Sequence, residues 1–146
     1  MSASNAFETL ILDHIFTNAN VANVGDATGL RGSTTAGSLY VSLHTADPGE
    51  AGSQTTSEAT YGAYARVAVA RSGSGWTVSG NNSSNAAAVT FPTATSGTNT
   101  ITYFGIGTDS SGAGTLLFSG ALGSSLAVST NITPTFAIGD IDVTCD

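Results

Sequence analysis

Apolar positions recur at helical spacing near the start of the chain and alternate from residue 39 onward, so one helix is expected ahead of a series of strands. Phe7, Leu10, Ile11 and Ile15 share one helical face, the i, i+3, i+4 pattern of an amphipathic helix. Asn5 followed three residues later by Glu8 has capping-box spacing. His14 lies beside the stripe. This predicts a helix that packs one face on a sheet, or a peripheral arm that packs on a neighbouring subunit, because a single short helix is marginal alone. Positions 17–38 are Asn, Ala, Gly, Thr and Ser with little periodicity, broken only weakly by Val21 and Val24. They read as a long loop or extended arm.

Leu39, Val41 and Leu43 alternate with polar neighbours and point to one face of a strand. Asp47-Pro48-Gly49 is a turn, with φ preset by proline and a positive φ open to glycine. A polar stretch runs to Thr60, and a strand is expected over 64–70. Gly73-Ser74-Gly75 and Gly80-Asn81-Asn82 bracket another strand at 76–78, and 88–91 stops at Pro92. Further strands are expected over 100–106, 116–122, 126–128, 135–138 and 141–144, with a loop at 109–114 and a tight connection at Gly139-Asp140. Short strands with turn signals at about 8–12-residue spacing define an all-β domain. The expected architecture is a β-sandwich, or a partly open barrel, of about eight short antiparallel strands with one short N-terminal helix. The division expected is 1–38 for helix and arm and 39–146 for the sandwich.

Composition narrows the function classes. Charged residues make up 9% of the chain, against roughly 25% in an ordinary globular domain. Hydrophobic residues make up 40%, and they cluster as strands, which argues for folding rather than disorder. The net charge is −7, Lys is absent, and the cations are Arg31, Arg66 and Arg71. So few cations cannot neutralise a row of phosphates, so no direct nucleic-acid partner is expected. No apolar run reaches the length of a membrane span, and the first segment lacks the pattern of a signal peptide. Cys145, the single cysteine, allows no internal disulfide and no Cys-based zinc site.

Candidate chemistry is sparse. Ser42, His44 and Asp47 form a triad on paper, but no nucleophile-elbow sequence surrounds them, and Asp47 lies past the turn. Glu50, Glu58, Asp109, Asp140 and Asp142 supply carboxylates for a glycosidase pair, yet most sit beside glycine in loops, where acids serve turns and solubility. Asp140, Asp142 and Asp146 lack the spacing of a calcium loop. No phosphate loop is present. Tyr61, Tyr64, Trp76, Tyr103 and Phe104 are dispersed as core aromatics are. Arg66 stands inside an expected strand in a chain that rarely spends a cation, which points to an ion pair within the chain or to a subunit contact. These features predict a protein that is not an enzyme and holds no cofactor or metal.

Several blocks, in order, resemble a family of small virion proteins of tailed phages, among them tail-fibre-like proteins and capsid decoration, or cement, proteins. The first runs Leu39-Tyr40-Val41-Ser42-Leu43-His44-Thr45-Ala46-Asp47-Pro48-Gly49. The next are Tyr61-Gly62-Ala63-Tyr64-Ala65-Arg66-Val67, Thr102-Tyr103-Phe104-Gly105-Ile106 and Thr115-Leu116-Leu117-Phe118-Ser119-Gly120-Ala121-Leu122. The closing Gly139-Asp140-Ile141-Asp142-Val143-Thr144 is similar to the family's final strand. The resemblance implies a structural virion protein, made in the host cytoplasm. The reading put first is a cement protein on the outer capsid, a homo-oligomer (dimer or trimer) that binds the major capsid protein and stabilises the shell. A tail fibre or tail-tip protein contributing to host attachment is the alternative, and a virion-associated glycan hydrolase is the third. Interface candidates are Phe7, Leu10, Ile11, Arg31 and Arg66, on the helix, the 17–38 arm and the strand at 64–70; the loop after Pro48 is a further candidate surface.

Overall fold

The structure is a computed structural model that describes residues 3–25 and 29–145. Its elements are α1 (Asn5–Thr17), β1 (Ser38–His44), β2 (Val67–Ala70), β3 (Trp76–Ser79) and β4 (Asn82–Asn85). They continue with β5 (Val89–Thr90), β6 (Asn99–Gly107), β7 (Leu116–Val128), β8 (Thr135–Phe136) and β9 (Asp142–Thr144). The strands form three antiparallel sheets, ordered β2-β1-β6-β7, β3-β4-β9 and β5-β8, and no sheet closes into a barrel. The mostly-β expectation with one N-terminal helix therefore holds, with nine strands among the described residues. The chain divides into two compact units. One is Met1–Ser38, Ala70–Ala88 and Phe136–Asp146; the other is Leu39–Val69 and Val89–Thr135.

In the first unit α1 packs on β3 and β4. Its start differs from the expected capping box: Ser4, not Asn5, is the N-cap, and its hydroxyl accepts the Phe7 N–H at 3.4 Å. The packed face also differs. Glu8, Leu12 and Phe16 are the buried residues, while Phe7 and Leu10 are 45% and 39% exposed. The helix is apolar on two adjoining stripes, and the contact of the Phe16 ring with Trp76 selects between them. Those rings meet edge-on, with centroids 4.7 Å apart and planes at 62°. The C-terminus is held by Arg71, whose guanidinium donates to the carbonyls of His14 and Ile15 at 2.7 Å each and to Ala36 at 3.2 Å. A cation there satisfies helix-end carbonyls and complements the dipole. The described residues between α1 and β1 are held by side chains and by one bridge. Asn18 bonds both backbone groups of Ser33, and Val21 bridges Leu30.

β4 is a strand that hydrophobic periodicity does not predict, because its sequence is Asn-Ser-Ser-Asn. It is nonetheless the central strand of its sheet, with Trp76 opposite Asn85 and Ser83 opposite both Val78 and Val143. The buried Asn85 makes this possible. Its amide donates to the carbonyls of Ala87 and Ala137, and its oxygen accepts the Ile141 N–H at 2.9 Å.

In the second unit β1 and β6 pair in antiparallel register, Val41 with Ile106, Ser42 with Gly105, Leu43 with Phe104 and His44 with Tyr103. Directly opposed residues share a face. One face therefore carries Leu39, Val41, Leu43, Phe104 and Ile106, all buried. The other carries Ser42 and His44 over Gly105 and Gly107. β2 begins at Val67 rather than 64, because Tyr61 and Tyr64 close a turn with Ala63 at φ 71°. The two strands expected at 116–122 and 126–128 are one strand, β7. Its register against β6 slips so that residues 122–125 stand opposite Thr102 alone, an irregularity larger than a two-against-one bulge.

Candidate functional site

The polar face of β1 and β6 carries the arrangement that most resembles chemistry. Ser42 Oγ lies 2.8 Å from His44 Nε2, and His44 Nδ1 lies 2.8 Å from the Thr56 carbonyl. Both side chains are fully buried, and burial is the main cause that lowers the His44 pKa from its ordinary value. The third position of a triad is therefore a backbone carbonyl. Asp47 instead accepts the Gly49 N–H at 2.8 Å, in the turn where Gly49 takes φ 68°. A serine with no exposed surface cannot meet a substrate, so this pair acts as a structural clasp that ties β1 to the backbone at Thr56. Gly105 makes room for it. A Cβ on Gly105 would stand 2.6 Å from His44 Nε2, and one on Gly107 would run into the Gln54 side chain.

Beside the clasp lies an ion pair. Arg66 Nε and Nη2 donate to the two Glu58 oxygens at 2.7 and 2.8 Å, a bidentate fork with side chains 3% and 15% exposed. The remaining guanidinium bonds go to the carbonyls of Asp109 and Gly112. Tyr64 donates its hydroxyl hydrogen to Glu58 at 2.9 Å and accepts the Leu43 N–H at 3.1 Å; burial raises its pKa. Gln54 is fully buried and bonds the backbone of Asp109 through both amide atoms. Arg66 and Gln54 together hold the 109–113 loop in place within the second unit.

The open surface of the same unit is different. A groove of about 460 Å³ runs along β7, lined by residues 116–121, by Tyr103 and by the 47–52 turn with Asp47 and Glu50. Asp47 and Glu50 are exposed. Among the described residues, no group of three or more His, Cys, Asp or Glu side chains could hold a metal ion.

The residues singled out in the sequence scatter. Phe7 and Leu10 are exposed on α1, and Ile11 is half-buried beside them. Arg31 is exposed on the arm of the first unit. Arg66 is engaged within its own unit. Asp140 accepts the Ala137 N–H at 2.7 Å, and Asp142 bonds the Asn82 amide; Asp146 lies outside the described residues. Tyr61 and Trp76 are buried as core aromatics. The structural roles of Gln54, Gly105 and Gly107 and the β7 groove went unseen, because each depends on strand register or sheet order. Glu58 was among the carboxylates considered. Its helper, Arg66, was the signal for the pair.

A β-rich chain whose reactive-looking side chains are buried as structural clasps, in an order of strand blocks like that of virion proteins, is a structural phage protein. Residues 2–144 match the family described as podophage GP4 fiber I protein gp80, and the chain belongs to that family. No curated protein matches it. No helix among the described residues is long and apolar enough to cross a membrane.

Proposed function

We propose that the chain is a structural, non-enzymatic subunit of a phage fibre, held in the virion by contacts with other particle proteins. The observation that carries this reading is the family match over almost the whole chain. The buried state of Ser42 and His44 agrees with it, since it leaves the only nucleophile–base pair considered in the sequence without access. This ranking reverses the order suggested by sequence alone, in which the shell came first.

The cement reading keeps one specific support. The chain has two compact units and no internal repeat that would build a long shaft. In that reading it sits on the outer capsid against the major capsid protein as a dimer or trimer, with Phe7, Leu10, Ile11 and Arg31 facing neighbours. Arg66, spent on Glu58, drops out of that set.

Gold labelling of purified virions with an antibody to the chain, together with copy number from quantitative mass spectrometry, separates the two. The fibre reading expects label on projecting fibres and tens of copies or fewer. Label spread over the head at hundreds of copies overturns it in favour of the shell. Hydrolysis of host cell-wall or capsule glycan by the pure chain would overturn both.

A further inference from the structure

We propose that the groove between β7 and the 47–52 turn is an organic-cation site, where a guanidinium or ammonium head group lies against Tyr103 and meets the carboxylates of Asp47 and Glu50. This goes beyond the fibre-subunit reading and does not rest on it.

All the lining residues belong to one compact unit, and the strand order explains how they meet. β6 lies between β1 and β7. Tyr103 stands opposite His44 on β1 and Ala121 on β7, and Gly105 stands opposite Ser42 and Ser119. Opposed residues share a face. Tyr103 therefore rises from the face that also carries Ser119 and Ala121, with the turn that follows β1 on its other side. Leu116 reaches this face too, since its Cδ1 lies 2.9 Å from where a Gly105 Cβ would stand. Tyr103 is half-buried, and the small side chains of Ser119 and Ala121 keep the floor beside it low. The volume of about 460 Å³ lies within the range of ordinary ligand sites.

The lining selects the ligand's charge. Asp47 and Glu50 are exposed. One Asp47 oxygen is fixed by the Gly49 N–H at 2.8 Å, which leaves the other to a ligand. No Arg or Lys lines the groove, and the one ion pair among the described residues is Arg66 with Glu58. The chain has no Lys and a net charge of −7. The cation that balances these carboxylates therefore comes with the ligand, and anions are repelled.

The lining also selects an organic cation over a metal ion. Calcium takes about six to eight oxygen ligands, and the groove offers two carboxylates, with no group of three metal-ligating side chains among the described residues. A guanidinium or ammonium group needs only an acceptor or two, and the face of an aromatic ring attracts it further. Two sources carry such a head group: a free diamine, and an arginine side chain on a neighbouring protein. The site reads the charge they share. Exposed ion pairs and a single cation–π contact are each weak, so binding of the isolated head group should be weak and salt-dependent.

The test follows backbone amide shifts of the full chain by NMR as ligand is added at constant ionic strength. The probes are putrescine, a blocked Gly-Arg-Gly tripeptide, and the same tripeptide with citrulline, which keeps the shape of arginine without its charge. Putrescine and the arginine peptide should each give saturable shifts at residues 47–52, 103 and 116–121, and the tighter of the two names the source. The citrulline peptide and glucose should give none. Asp47→Asn with Glu50→Gln should weaken binding about fivefold or more. Tyr103→Leu should weaken it about threefold, and Tyr103→Phe, which keeps the ring, should leave it unchanged. Asp13→Asn with Asp140→Asn, which removes the same charge elsewhere, should also leave it unchanged. Absence of saturable shifts, shifts confined to other residues, equal binding of the citrulline peptide or of glucose, or equal loss in both double variants overturns the proposal. Each of these outcomes leaves the fibre label on virions, and so the proposed role, intact.

Discussion

Gly105 lies directly opposite Ser42 in the β1–β6 pair, and the space its missing side chain leaves is filled by the Ser42–His44 hydrogen bond. A methyl group there would stand 2.6 Å from His44 Nε2 and 2.7 Å from Ser42 Oγ, with Leu116 at 2.9 Å. His44 cannot swing away without losing its bond to the Thr56 carbonyl. Gly105→Ala should therefore lower stability by about 1–3 kcal/mol, the usual cost of overpacking a tight interior. Urea unfolding followed by far-UV circular dichroism measures it. Gly123→Ala, where nothing lies within 4 Å of the added carbon, is the control and should change little. Equal losses at the two sites would refute a steric role for Gly105.

The Glu58–Arg66 pair is nearly enclosed, and each partner's loss strands the other. Glu58→Gln keeps the shape and one acceptor but removes the charge that balances Arg66, and Tyr64 loses its charged partner. Breaking one side of a buried pair typically costs about 3–5 kcal/mol, because an uncompensated charge stays behind. Replacing both residues together, as Glu58→Gln with Arg66→Met, should cost less than Arg66→Met and Glu58→Gln summed. A double-mutant cycle in urea decides the point, and strict additivity would show that the pair is not coupled.

His44 gives the fold a pH dependence of known sign. Burial is the largest cause of its lowered pKa, ahead of the opposing bond to Thr56 and the Glu58 charge. The folded state then binds the proton less readily than the unfolded chain does. Stability from this group is fully present above its ordinary value of 6.5 and is lost as pH falls from there through the folded value. The unfolding midpoint should drop between about pH 7 and pH 5, by no more than about 1.4 kcal/mol per pH unit from this group. His44→Gln should be less stable at neutral pH but flatter across that window. An unchanged slope in the variant would assign the dependence to other groups.

Legibility in the sequence followed locality. The alternation of Leu39, Val41 and Leu43 and the turn at Pro48-Gly49 are readable, because neighbours along the chain determine them. Arg66 was readable as an engaged cation, although only the fold could name Glu58 among five candidate carboxylates. β4 was not readable, because Asn85 is buried through hydrogen bonds to residues about fifty positions away, and Ser83 is buried between its register partners Val78 and Val143 on the flanking strands. The role of Gly105 depends on its register with Ser42, and the β7 groove depends on the strand order that brings β7 near the 47–52 turn. Pattern within a strand carries neither kind of information. Helix α1 shows the remaining limit: with two apolar stripes, periodicity alone could not tell which faces inward.

That ambiguity makes the helix a test of packing against assembly. Leu12 is fully buried on the packed stripe, whereas Phe7 and Leu10 lie on the exposed one. Leu12→Ala should lower stability by about 2–5 kcal/mol, through lost burial and the cavity left behind. Phe7→Ser with Leu10→Ser removes two apolar side chains, yet each should shift stability by no more than about 0.5 kcal/mol, the range for surface positions. Thermal unfolding of the three proteins makes this comparison. The same double variant, offered in trans to particles that lack the chain, separates folding from incorporation. If the exposed stripe meets a neighbour in the virion, a stably folded protein should be incorporated poorly. Normal incorporation of the double variant would remove Phe7 and Leu10 from the assembly surface.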